Sequence, residues 1–264
     1  MSVDQKIFTN GAAYERLMGQ WSRLTGTKFL AWLDMPKGLR GLDAGCGNGA
    51  FTETLLEHGA PASVDAIDPA EAQIAYAKAQ KSVAQVKYQV ADAQALPFDN
   101  AVFDAAAMAL VISFIPDPAK AIGELARVVC EGGLVATYMW DGFDGVPVSP
   151  FSRAAKALGF GGEYALPSPE ADTQAGMRAL WQGAGLEAVE TCRITIPVTF
   201  KDFDDFWQSC TAMPNPAIQF MRGLSDADVK RLRAWLQDSQ PADAAGRINY
   251  TAAANAVKGR VKRR

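Results

Sequence analysis

The chain has little of several things that would give a quick answer. It holds four cysteines and one histidine in 264 residues. Cys46, Cys130, Cys192 and Cys210 are far apart and form no C-x-x-C pair, so the sequence offers neither a disulfide framework nor a zinc site, and no metal is expected. No apolar run approaches the roughly 20 residues of a membrane span; the longest is Ala105 to Ile112. The opening Met1-Ser2-Val3-Asp4 lacks a signal-peptide pattern, and a reducing cytoplasm is the expected location. Positive charge is scarce as well. The net charge is -3, the one basic run is Lys258 to Arg264, and a broad phosphate-binding surface is not expected, so nucleic acid is not an anticipated partner.

What the chain does have is apolar residues, 49% of the total, enough for a large core in one domain with additions. From Leu39 to Met139, short β-rich runs alternate with helical patterns, the mark of a doubly wound parallel sheet. Strands are expected at Arg40–Ala44, Ser63–Ile67, Val86–Val90, Phe103–Leu110 and Leu134–Met139. Between the last two, Ile122, Leu125, Ala126 and Val129 form a helical stripe behind the capping Asp117 and Pro118. Residues 1–36 read as a helical cover carrying Tyr14, Leu17, Trp21 and Leu24 on one stripe. The rest, 37–264, reads as the main domain, with insertions at about 141–169 and 200–245 covering a substrate. The first of these, rich in glycine and proline, is expected to be irregular. A further strand is expected from Leu186 to Phe200, a helix behind Ser225, and a last strand within 247–258. His58, just before Gly59, is expected on the Phe51/Leu55 face of its helix in a structural role.

The most informative segment runs Leu42-Asp43-Ala44-Gly45-Cys46-Gly47-Asn48-Gly49-Ala50-Phe51-Thr52, a strand end passing through three alternate glycines into a helix. Glycine is needed where the backbone takes positive φ or lets a ligand touch the main chain, and the following helix offers its N–H groups. Gly45-x-Gly47-x-x-Ala50 also fits the relaxed dinucleotide fingerprint, so the loop alone leaves a nicotinamide or flavin oxidoreductase open. Three carboxylates fall near the ends of adjacent strands: Asp43, Asp68 and Asp92. Asp68 can accept from both hydroxyls of a ribose and Asp92 from an adenine amine, while the acidic pocket suits a cationic ligand. Asp68, before Pro69, equally reads as a helix cap, and Asp92 as an Asx-turn.

In order, LDAGCGNGAFT, AIDPA, VADAQALPF, FDAAAMALVISFIPDP and LARVVCEGGLVA resemble the motifs of the class I S-adenosylmethionine-dependent methyltransferases, especially the ubiquinone and menaquinone branch. The resemblance covers about residues 38–140, and AYERLMGQWSRL and FDDFWQS extend it toward both flanks. It implies a Rossmann-like α/β fold of seven strands in the order 3-2-1-4-5-7-6, the last antiparallel. By the same resemblance Gly45, Cys46 and Gly47, with Ala44 and Asn48 beside them, would approach the methionine part of S-adenosylmethionine. Asp68 would hold its ribose, Pro69 would lie beside the adenine, Asp92 and Ala93 would face the adenine edge, and Leu110 and Val111 would touch the cofactor from the fourth strand. Tyr14 and Trp21 are expected to exclude water above it, with Arg23 pairing its carboxylate. No N-P-P-Y motif follows the fourth strand and no Pro-Cys pair occurs, which argues against DNA methylation. The aromatic residues of the additions point to a small apolar or aromatic methyl acceptor. In-line displacement needs alignment more than a dedicated base, and no catalytic residue is identified. A protein that binds cofactor without catalysis would share every motif.

Overall fold

The computed structural model describes residues 18–80, 84–161, 166–211, 216–240 and 242–263. Helix α1 (Gln20–Leu33) precedes β1 (Arg40–Ala44), and α2 (Ala50–Thr54) widens into a π turn over Leu55–Gly59. There follow β2 (Ser63–Asp68), α3 (Glu71–Gln80), β3 (Val86–Val90), β4 (Phe103–Ala109), α4 (Pro118–Val128) and β5 (Val129–Trp140). Then come α5 (Ser149–Leu158), α6 (Gln174–Gly183), β6 (Glu187–Phe200), α7 (Phe203–Thr211), α8 (Asp226–Ser239) and β7 (Ile248–Arg260). One sheet unites the strands in the order β3-β2-β1-β4-β5-β7-β6, with β7 antiparallel to both neighbours. No helix among the described residues is long and apolar enough to cross a membrane.

The period of two along the central strands sorts side chains to two faces. Leu134, Ala136, Tyr138 and Trp140 of β5 point to the side carrying α1, α5 and α7, where Phe29, Phe151 and Phe206 are fully buried. Val135 and Met139 point to the opposite side, where α4 and α6 bury Ile122, Leu125, Met177 and Trp181. Each such large side chain contributes roughly 1.5–3 kcal/mol on burial. Trp181 also donates from its indole nitrogen to the Val135 carbonyl at 2.9 Å, so α6 is fixed to β5 by a hydrogen bond as well as by packing.

The capped starts of α4 and α8 behave as their sequences predict. Asp117 accepts from the Lys120 N–H at 3.0 Å with Pro118 in the first turn, and Ser225 accepts from the Asp228 N–H at 3.2 Å. Four expectations need correction. β5 begins at Val129 rather than Leu134, so Val129 belongs to the strand and Val128, not Val129, completes the buried stripe of α4; Val129 pairs with Phe103, and an irregularity between Phe103 and Ala105 absorbs the Glu131-Gly132-Gly133 segment. The first insertion is not irregular throughout: α5 forms within it and buries Phe151, Ala154 and Ala155, the glycines and prolines falling at or beyond its ends. Leu24 is exposed, and the buried stripe of α1 is Trp21, Thr25, Phe29 and Leu33 instead. His58 is exposed rather than on the Phe51/Leu55 face, because the π turn breaks the 3.6-residue phase that the expectation assumed.

Long β6 and β7 run past the end of β5. β5 pairs with β7 only from Ala254 to Arg260, whereas β6 follows β7 to Ile248. The overhang carries Phe200, which meets Trp21 of α1 edge-on at 5.5 Å and Phe206 of α7 at 5.3 Å. This aromatic join holds α1 and the C-terminal elements together beside the carboxyl ends of the parallel strands.

Candidate cofactor site

The strand ends open into a pocket floored by the glycine loop. Gly45, Gly47 and Gly49 all have positive φ, at 82°, 53° and 88°, as the alternate spacing predicts. Their surroundings differ. A Cβ on Gly45 would lie 2.7 Å from both methyls of Val111, so this glycine lets the loop close against the end of β4. A Cβ on Gly47 would meet nothing within 4 Å, so its backbone is bare toward the pocket it lines.

Asp68 fixes this loop. Its Oδ2 accepts from the Gly47 N–H at 3.0 Å and its Oδ1 from the Ala70 N–H at 2.8 Å. Asp68 thus makes the turn that leads into α3 and also lines the pocket. Burial raises its pKa, and the two N–H bonds oppose that rise. Two carboxylate oxygens offer more acceptor positions than two N–H groups use, leaving capacity for ligand hydroxyls.

Asp43 lies one layer below, fully buried in β1, with Oδ2 accepting from the Thr52 hydroxyl at 2.6 Å. Burial pushes its pKa up to about 7; the Thr52 bond opposes the rise, and the Asp68 charge adds to it. Cys46 is raised well above the usual thiol range by burial and by Asp43 and Asp68, which makes it a poor nucleophile at neutral pH. Leu110, at the end of β4, takes φ of 60°, uncommon for a residue with a side chain, and its N–H is held by the Tyr138 carbonyl at 2.8 Å. That strained position is also on the pocket wall.

Seven of the residues expected from sequence line this pocket: Gly45, Cys46, Gly47, Asn48, Asp68, Leu110 and Val111. Ala44 and Ala93 are buried in the core behind it, and Pro69 is exposed beside it. Asp92 is exposed, its Oδ1 accepting from the Gln94 N–H at 2.8 Å in the Asx-turn. Trp21 packs on Phe200, and Arg23 pairs with Glu53 of α2 at 3.5 Å. Tyr14 lies outside the described residues. Sequence reasoning missed Ser22, Phe51, Ala70, Gln73, Phe114 and Tyr138, which with Ala50 and Ala109 complete the wall. Tyr138 and Phe51 were legible only as apolar residues of β5 and α2. Ser22 is one position from the residue chosen on α1, and nothing in the stripe marks it. Among the described residues, no group of His, Cys, Asp and Glu stands together in a way that could hold a metal.

Comparison with known proteins agrees with this geometry. Residues 42–137 match a family model described as a methyltransferase domain. A malonyl-[acyl-carrier protein] O-methyltransferase of Pectobacterium atrosepticum is 32% identical over 51% of this chain and 51% of its own length. A ubiquinone biosynthesis O-methyltransferase of Methylocella silvestris is 35% identical over 51% of this chain and 54% of its own. The matches thus span about half the length of these curated relatives. A phosphoethanolamine N-methyltransferase of Haemonchus contortus, solved with S-adenosylmethionine, shares the fold: its TM-score is 0.60 at 18% identity, covering 99% of this chain and 59% of that one. The strand order and the glycine loop agree with the family match, in which residues 42–137 are similar to a methyltransferase domain.

Proposed function

We propose that the protein binds S-adenosylmethionine in the glycine-loop pocket and transfers its methyl group to a small apolar or aromatic acceptor. The observation that carries this reading is the pairing of a bare Gly47 backbone with the anchored Asp68 carboxylate on one pocket wall. Together they offer a place for a chain of atoms against the main chain and acceptors for sugar hydroxyls beside it. When bound, the cofactor supplies an electrophilic methyl on a sulfonium. Asp68 would hold its ribose, and Gly45 to Asn48 would lie along its amino-acid part. Phe51, Phe114 and Tyr138 give the pocket an apolar wall that excludes water and aligns an acceptor. The two relatives named above as O-methyltransferases make an oxygen the first acceptor atom to test.

An oxidoreductase using the same loop is disfavoured by the strand order, since inserting β7 antiparallel between β5 and β6 departs from the 3-2-1-4-5-6 sheet of dinucleotide folds. Parallel calorimetric titrations with S-adenosylmethionine, S-adenosylhomocysteine and NAD test the cofactor, and a labelled-methyl screen of phenols, quinols and small acids tests the transfer. Binding of NAD alone would overturn the reading. Binding of S-adenosylhomocysteine with no labelled product across the screen would favour a cofactor-binding module.

A further inference from the structure

The methyl donor and its spent product differ by one positive charge at sulfur, and the floor of the pocket holds a group suited to sense it. Asp43 is wholly enclosed between β1 and α2. Its Oδ1 has no hydrogen-bond partner among the described residues, an unusual state for a buried carboxylate oxygen. The groups that face it are the Thr52 hydroxyl from α2, Asp68 at the end of β2, the Cys46 thiol of the loop and the Tyr88 phenol of β3. None of these is a cation. Glu53, which acts on Tyr88, is itself paired with Arg23.

A carboxylate so placed is costly to ionise, and its pKa rises to about 7 accordingly. Thr52, whose hydroxyl donates to it, is the one neighbour that favours the ionised form. Asp68 and Cys46 both line the pocket, and both are coupled electrostatically to Asp43. A positive charge lodged against them therefore acts on Asp43 too.

We propose that Asp43 is the proton-exchanging counter-charge of the pocket, losing a proton to solvent when the sulfonium-bearing cofactor binds and regaining it when the neutral thioether product occupies the site. This rests on the cofactor assignment above and adds to it an electrostatic preference for donor over product. The sign follows from linkage. If a bound cation lowers the Asp43 pKa, affinity for that cation rises with pH until the free protein's own titration near 7 is passed, by at most about tenfold per pH unit for one proton. The product, lacking the sulfonium charge, gains less.

The test is calorimetry on the full chain with each ligand between about pH 5.5 and 7.5, in two buffers of different ionisation enthalpy, which counts protons released. We expect more proton release with S-adenosylmethionine than with S-adenosylhomocysteine. In Thr52→Val, which removes the hydroxyl that favours ionisation, the release window moves to higher pH. In Asp43→Asn the difference between the ligands disappears. Equal release with both ligands, or an unmoved window in Thr52→Val, would overturn the inference, and neither measurement requires Asp43→Asn to fold. If neither ligand binds at all, the cofactor assignment fails instead.

Discussion

Asp68 and Gly47 are joined across the pocket floor by a 3.0 Å hydrogen bond from the glycine N–H to the carboxylate Oδ2, so the end of β2 holds the loop that follows β1. The bond gives one residue two tasks that substitution can separate. Asp68→Ala loses the acceptor of both the Gly47 and Ala70 N–H groups as well as any ligand hydroxyl. We expect weaker S-adenosylhomocysteine binding by roughly 1.5–3 kcal/mol, the range for hydrogen bonds to a charged group. Calorimetry measures it, and unchanged affinity would leave Asp68 with the turn alone.

Two glycines of the same loop should respond in opposite ways. Gly45→Ala places a methyl 2.7 Å from the branched Val111 side chain at a φ of 82°, and its main effect is expected on folding. At Gly47 the added Cβ has no protein atom within 4 Å, so beyond the ~1–2 kcal/mol of left-handed strain the main effect of Gly47→Val is expected on ligand affinity. Denaturation midpoints and titrations on both variants check this; a folded Gly47→Val with normal binding would show that the ligand does not reach that backbone.

Arg23 would serve a cofactor carboxylate by turning from Glu53, its partner at 3.5 Å, or by sharing its donors between the two. An exchange is feasible because such part-exposed pairs contribute only about 0–1 kcal/mol. Arg23→Ala is then expected to reduce affinity for S-adenosylmethionine more than for adenosine, which has no carboxylate. Equal losses, or none, would confine α1 to packing.

Asp43 also sets a pH dependence of folding. Its pKa stands at about 7 in the folded chain against 3.8 for the free group, so the folded state binds more protons between those values. Stability is then greatest below about pH 4 as far as this group is concerned, and falls as pH rises toward 7, by up to a few kcal/mol. Asp172, raised to about 6 by burial and by Asp141, acts in the same direction. Chemical denaturation of the wild type and Asp43→Asn across this range should show a flatter profile in the variant.

Much of the sheet was legible because β1, β2, β3 and β4 are short runs bounded by turn residues and spaced by helical patterns, and this alternation needs no tertiary information. The start of β5 was not legible, since only the partner Phe103 makes Val129 extended. For the site, the glycine loop, Asp68 and the Leu110-Val111 pair declare themselves through backbone chemistry and position on strand ends. Ser22 and Gln73 do not, because one turn of helix carries them to the pocket while an adjacent residue looks equally suited. At Asp92, two residues past the end of β3, the structure shows the Asx-turn that the sequence also offered, with the carboxylate accepting from the Gln94 N–H.

The placement of β7 between β5 and β6 sets the order in which the molecule can be completed. While the chain is being made, β5 waits for its neighbour throughout the synthesis of α5 to α8, on the order of ten seconds at ordinary elongation rates. During that interval β5 presents an open hydrogen-bonding edge with Leu134, Ala136 and Tyr138 beside it, and β6 has no strand of its own sheet to join. The nascent chain is therefore most open to mispairing with other chains just before its last strand emerges, and slowing synthesis after β6 should lower the yield of folded protein more than slowing it before β5.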